Sequence, residues 1–262
     1  MLDQGFTVSG NGPLIVFLHS SLSSSKQWFG LANELSKDFT FINIDLLGYG
    51  SASFPQIAGY NFDIEVSRII NIINSVNNND SFHLIGHSCG GAIALKIAVE
   101  QSHKMLSLTL FEPVAFHLLA QSNVAEHQLF SSQVKEFADA IASGDNSKGT
   151  ENFVDFWNGE GFYANLPVKV QTLMAAQFEK VKLDFIGIFH ETYDLALLES
   201  IKCPCLLMRG KYTQDVSKAL TRTIVDALNS VVIEEVKAGH MAPVSHPQLI
   251  FPLVYSFIHQ GK

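Results

Sequence analysis

Short runs of consecutive apolar residues alternate along this chain with stretches of helical period. "PLIVFLH" (Pro13 to His19) has strand length and is apolar at successive positions. "FTFINID" (Phe39 to Asp45) is the next such run, after a helical stretch around Trp28 to Leu35. A second helix is expected at about Asp63 to Val76, where Ile64, Ile69, Ile72, Ile73 and Val76 recur with helical spacing. "NNND" (Asn77 to Asp80) reads as a polar turn, followed by a strand "SFHLIG", a helix from Cys89 and a strand "LSLTLF" (Leu106 to Phe111). Strands apolar on both faces that alternate with helices imply a parallel sheet covered on both sides.

The alternation breaks after Pro113. From there to about Ala196 the pattern is helical, with "QLFSSQVKEFADAIA" and "VKVQTLMAAQFEKV" both amphipathic and the glycine-broken "DFWNGEGFY" between them. Strand and helix then resume with "PCLLMRG" (Pro204 to Gly210), a helix near Val216 to Leu228, "VVIEEV" (Val231 to Val236) and a last helix from about Pro247. The expected fold is α/β: a mostly parallel open sheet with helices on both faces and a helical cap insertion. Residues 1–112 and 197–262 would form the core and 113–196 the cap, lying as a lid over the carboxyl edge of the sheet, where such sheets bind ligands.

Composition narrows the function classes. A chain of 262 residues with 47% hydrophobic content can bury a large core. A net charge of −8 argues against nucleic acid as a partner. No window is apolar for the length of a membrane span. "MLDQGFTVSGNG" lacks the basic-then-apolar pattern of a secretory leader. Cys203 and Cys205 are too close to pair readily, and Cys89 is the remaining cysteine. Reduced thiols and a cytoplasmic location are therefore expected. No metal-ligand spacing is present.

Candidate chemistry begins at "GHSCG" (Gly86 to Gly90), which fits G-x-S-x-G between a strand and a helix, the setting of a nucleophile elbow. Ser88 is the expected nucleophile. A serine hydroxyl needs a base, and His240, after Gly239 beyond the last strand, is the candidate. His246 before Pro247 reads as structural, His87 as a packing residue and His83 as a core residue. His190, in the cap, is a candidate substrate contact, though a structural role is the simpler reading. Oxyanion donors are expected from the backbone of Cys89 and from Ser20 or Ser21 after the first strand. The Cys89 thiol itself reads as a small buried group.

The chain resembles the α/β-hydrolase superfamily over nearly its full length. The matching features are "LHSS" with Trp28 further on, "DLLGYGSAS", "GHSCGG", "RGKYT" and "GHMAPVSHP". The resemblance implies that Asp45, Gly48 and Gly50 shape a turn near the site. Two departures stand out. The usual His-Gly of the oxyanion loop is His19-Ser20. The aspartate that many relatives carry three residues after the strand-seven glycine is Thr213, three after Gly210. The acid partner of His240 is then Glu112, at the end of "LSLTLFEP", or Asp215; Glu112 is preferred because its strand should neighbour that of Ser88. The leading reading is a Ser-His-acid hydrolase working through a covalent acyl-enzyme on a small ester, thioester, lactone or β-diketone, with carboxylic-ester hydrolysis foremost. Serine at the elbow argues against dehalogenase and epoxide-hydrolase chemistry. No cofactor is implied. The aromatic cap, with Phe153, Phe156, Trp157, Phe162, Tyr163 and Phe178, suggests an apolar or aromatic substrate group, with Trp157 closing over it. The rival reading is a weakly active or inactive small-molecule receptor or signalling partner, and a lyase using the same residues is a third. Oligomeric state and pathway are left open by the sequence.

Overall fold

The computed structural model describes residues 5–260 except 57, 78, 79, 123 and 144. Part of the turn expected at Asn77 to Asp80 lies outside the described residues, as do the first four residues of the chain. Seven strands form one sheet: β1 (Phe6–Gly10), β2 (Leu14–Leu18), β3 (Thr40–Ile44), β4 (Phe82–His87), β5 (Met105–Phe111), β6 (Cys205–Gly210) and β7 (Val231–Val236). Their order is β1-β3-β2-β4-β5-β6-β7, with β1 antiparallel to β3 and all other pairs parallel. The sequence reading did not anticipate β1. Only five residues long, it runs along the sheet edge with four of them exposed, so it lacks the apolar signal that marks the other strands.

The core helices are α1 (Phe29–Leu35), α2 (Phe62–Asn77) and α3 (Cys89–Glu100). Between β5 and β6 come α4 (His117–Ala120), α5 (Ala125–Ser143), α6 (Asn146–Asn158), α7 (Val168–Ala176), α8 (Phe178–His190) and α9 (Leu195–Leu198). The chain closes with α10 (Asp215–Ala227), α11 (Ala242–Ser245) and α12 (Pro247–Gln260). The stretch "VKVQTLMAAQFEKV" is two helices, α7 and α8, meeting at Gln177.

Alternation within the strands divides the core in two. Leu14, Val16 and Leu18 of β2 pack on the face covered by α2, α3 and α10. Ile15 and Phe17 of the same strand pack on the other face, with α1 and α12. The chain runs from β2 outward to β3 and then returns to β4 on the opposite side of β2. The loops after β2 and β4 therefore part at their carboxyl ends, which creates the crevice where open sheets of this kind bind ligands. Every residue singled out for oxyanion, nucleophile, acid or base roles lies just beyond the carboxyl end of β2, β4, β5 or β7, except Asp215.

Candidate active site

Ser88 joins β4 to α3 with φ 54° and ψ −118°, a backbone region that non-glycine residues rarely occupy. The surrounding chain is built for this turn. A Cβ on Gly86 would meet the Gly90 carbonyl and the Gly91 backbone, and one on Gly90 would run into the carbonyls of Leu18 and His19. The Ser88 amide donates to the Phe111 carbonyl at 3.0 Å, tying the turn to β5. The strain therefore resides in a turn that neighbouring backbone over-determines.

His240 Nε2 lies 2.9 Å from Ser88 Oγ, and His240 Nδ1 lies 2.7 Å from Glu112 Oε2. All three residues are buried. Glu112 receives two further hydrogen bonds, from the Gly210 amide to Oε1 at 2.7 Å and from the Thr213 hydroxyl to Oε2 at 2.6 Å. These donors make Glu112 an acceptor, so Nδ1 of His240 carries the proton and Nε2 is free to accept from Ser88. Thr213, at the position where an aspartate was sought, thus donates to the glutamate. Glu112 itself has φ 40°, a left-handed backbone before Pro113.

Asp215 takes no part in this cluster. It lies exposed in the first turn of α10 and pairs with Lys218 at 2.9 Å. His190 is also elsewhere: it is exposed at the end of α8, bonded through Nδ1 to the Ile186 carbonyl, beside a groove lined by Tyr60, Asp63 and Lys96. That groove shares no lining residue with the cavity beside Trp157. His246 is exposed next to Ser245, and His83 is bonded to Ser107 within the sheet.

Two buried histidines support the site without joining the Ser88–His240–Glu112 chain. His87 Nε2–H donates to the His240 carbonyl at 2.9 Å, and burial pushes its pKa well below the usual range, so it stays neutral. His19 Nε2 accepts from the Leu46 amide at 2.9 Å, which places its proton on Nδ1, 2.7 Å from the Ser20 carbonyl. Burial lowers the His19 pKa to about 4. Because a trans peptide points its C=O and N–H in opposite directions, holding the Ser20 carbonyl also sets where the Ser21 N–H points. The Ser20 amide is already taken by Gln27 Oε1 at 3.2 Å. Of the two serines, Ser21 is therefore the one with a backbone donor to offer, alongside Cys89. The Cys89 thiol is buried and its pKa is raised by that burial. The turn carrying Asp45 is held by bonds from the Ser25 and Ser51 amides at 2.7 and 2.9 Å, and Gly50 (φ 56°) has no room for a Cβ beside that carboxylate.

Trp157 of α6 stacks on the His240 ring, with centroids 3.8 Å apart and planes 21° apart. Beside it opens a cavity of about 250 Å³ lined by Ser21, Leu22, Phe153, Phe162, Met174 and Met241 among others, none of the lining side chains being charged. Sequence reasoning missed Thr213 and Gln27 as supports; polar residues in loops carry no local mark of what they bond.

Comparison with known proteins agrees with this architecture. Over 265 residues the chain is 29% identical to monoacylglycerol lipase abhd6-B of Xenopus laevis, covering 95% of this chain and 76% of that protein. It is 24% identical over 164 residues to fluoroacetate dehalogenase of Burkholderia sp., covering 59% of this chain and about half, 54%, of the dehalogenase. A thermophilic esterase from Thermogutta terrifontis superposes with a TM-score of 0.76 at 18% identity, over 98% of this chain and 93% of that one. Among the described residues no helix is long and apolar enough to cross a membrane. Residues 13–247 match the family described as alpha/beta hydrolase fold, and the chain belongs to that family.

Proposed function

We propose that the protein is a serine hydrolase acting on neutral esters or thioesters with an apolar acyl group. The observation that carries this reading is the unbroken hydrogen-bond chain from Glu112 through His240 to Ser88 at a strained strand–helix turn. In this reading Ser88 Oγ attacks the substrate carbonyl while His240 Nε2 takes its proton. The Ser21 and Cys89 amides receive the developing oxyanion, where preorganised donors are worth about 10²- to 10³-fold each. His240 then protonates the leaving group, an acyl-Ser88 ester remains, and water activated by His240 releases the acid and restores Ser88. Glu112 holds the imidazole in the required tautomer and stabilises its cation.

The uncharged cavity supports a neutral acyl chain over a carboxylate-bearing one, since a buried carboxylate needs a paired cation. Its volume lies just under the range of about 300–1,000 Å³ typical for drug-sized ligands, which favours a short or medium chain. The helices between β5 and β6 act as the cap in this account, because Phe153, Trp157 and Phe162 supply the cavity wall. The receptor reading drew on the missing aspartate at Thr213, and the Glu112–Thr213 bond removes that support.

A panel of p-nitrophenyl esters and acyl thioesters of graded length, run on wild type and Ser88→Ala, tests the reading. Turnover with an optimum at short or medium chains, lost in Ser88→Ala, is expected. Tight ligand binding with no product release would reinstate the receptor.

A further inference from the structure

A buried charged cluster lies beside the oxyanion loop, and hydrolysis as described above does not use it. Lys180 and Asp184 sit one turn apart on α8, both fully buried and ion-paired with each other. Lys180 Nζ also reaches Glu65 Oε1 of α2 at 3.3 Å and donates to the Tyr60 hydroxyl at 3.0 Å. The rings of Tyr49 and Tyr60 stand 5.1 and 5.0 Å from that ammonium. Burial disfavours the Lys180 charge, but Asp184 and Glu65 outweigh it and raise the pKa above its ordinary value, so the lysine stays charged. Removing charges from water is costly, and well-packed apolar residues would stabilise the same space at least as well. What the charges add is direction.

That direction is given by the second oxygen of Asp184. Oδ2 accepts from the Ser21 hydroxyl and from the Tyr49 hydroxyl, each at 2.6 Å. Ser21 directly precedes Leu22, whose φ of 54° is left-handed, a conformation that a leucine does not hold without outside restraint. Ser20 and Ser21 are therefore held on one side by His19 and Gln27, which bond the Ser20 carbonyl and amide, and on the other by Asp184, from the segment between β5 and β6, which bonds the Ser21 hydroxyl.

We propose that Asp184, itself fixed by Lys180, is a positioning residue that aims the Ser21 backbone N–H at the oxyanion through the Ser21 hydroxyl. The inference rests on the reading of Ser88 as nucleophile and Ser21 as oxyanion donor. It makes the oxyanion side of the site dependent on α8 being seated, so that one helix of the cap completes a catalytic feature of the core. Losing the hydroxyl leaves the amide in place but frees it to drift, and misplacement of about 1 Å can cost about 10²-fold.

The test is a double-mutant cycle on Ser21→Ala and Asp184→Asn, with kcat and KM on the best ester, inhibition by a trifluoromethyl ketone of the same acyl chain, and thermal unfolding. Each single variant is expected to lower kcat about 10- to 100-fold with KM within about twofold, and to weaken the ketone by a similar factor. The double variant is expected to be no slower than the slower single, and Ser21→Thr, which keeps the hydroxyl, to recover most of the rate. Should Asp184→Asn fail to fold, Ser21→Ala against Ser21→Thr decides alone, because the loop serine is only partly buried. Wild-type kcat in Ser21→Ala, additive losses in the double, or a change confined to KM or melting would overturn the inference. Ser88→Ala is measured alongside: turnover near wild type there refutes the underlying reading, whereas a Ser88→Ala slowed by several orders of magnitude with an unimpaired Ser21→Ala refutes the inference alone.

Discussion

Replacing Glu112 by glutamine isolates the charge and tautomer control of the site from its architecture. The carboxylate accepts three hydrogen bonds: from Gly210 N–H at Oε1, and from Thr213 Oγ1–H and His240 Nδ1–H at Oε2. Glutamine is isosteric and can keep all three contacts. Its carbonyl would take the Gly210 amide, and its NH₂ would donate to the Thr213 oxygen, whose hydroxyl can rotate, and to His240 Nδ1. That arrangement leaves no buried group unpaired, so the stability change should stay near 1 kcal/mol, about 2–4 °C in melting temperature for a chain of this size. The catalytic consequence is large. A donor facing Nδ1 forces the imidazole proton onto Nε2, which can then no longer accept from Ser88. The equivalent change in a well-studied serine protease costs about 10⁴-fold in turnover, equal to about 5.5 kcal/mol of barrier. Asp215→Asn serves as the contrast, since it touches only an exposed pair with Lys218, an interaction worth about 0–1 kcal/mol. Ester hydrolysis assayed with purified variants, with circular dichroism melts, decides the matter. A folded Glu112→Gln enzyme within tenfold of wild-type kcat would refute the reasoning, and a dead Asp215→Asn would transfer the acid role to the residue that the geometry leaves outside.

Two further predictions follow from the packing. Trp157→Ala removes a wall of the cavity and its stacking partner from His240, so all rates should fall while the ratio of kcat/KM for long over short acyl chains rises; an unchanged ratio across the ester panel would exclude Trp157 from chain selection. Stability should fall in mild acid: His19 and His117 have folded-state pKa values lowered to about 4 by burial, and His87 is lowered as well, so the unfolded chain binds more protons once the pH drops below about 6.5. For His19 and His117 the stability is fully present above about pH 6.5 and is lost between about 6.5 and 4. His19 alone accounts for about 2 kcal/mol at pH 5. The urea midpoint should be clearly lower at pH 5.0 than at pH 7.5, and coincident midpoints would contradict the neutral buried histidines.

The parts of this molecule that were readable in the sequence are those with a local signal. Five strands are runs such as "LIVFL" with both faces mostly buried, the largely exposed edge strand β7 still shows the apolar run Val231 to Ile233, and the Ser88 turn is marked by glycines whose hydrogens face neighbouring backbone. Strand β1 was not readable, because its five residues "FTVSG" hold no run of consecutive apolar positions, unlike the equally exposed edge strand β7. Lys180 and Asp184 were not readable either. Charged residues at helical spacing ordinarily mark a solvated face, and their partners Tyr49, Tyr60 and Glu65 lie far away in the chain. Thr213 was noticed only for the aspartate it replaces. Its bond to Glu112 depends on β5 and β6 lying side by side, a property of the sheet and not of either segment. For His190, lying between β5 and β6 in the chain says nothing about which face of α8 a residue occupies.

The central claim is that Ser88 is the nucleophile. A fluorophosphonate reacts with a serine only where a base and an oxyanion site activate it, and the adduct can be located by intact mass and peptide mapping. A single phosphonylated residue, Ser88, is expected, with ester hydrolysis lost at the rate at which the adduct forms and no adduct on Ser88→Ala. An adduct on another residue, or undiminished labelling of Ser88→Ala, would contradict it.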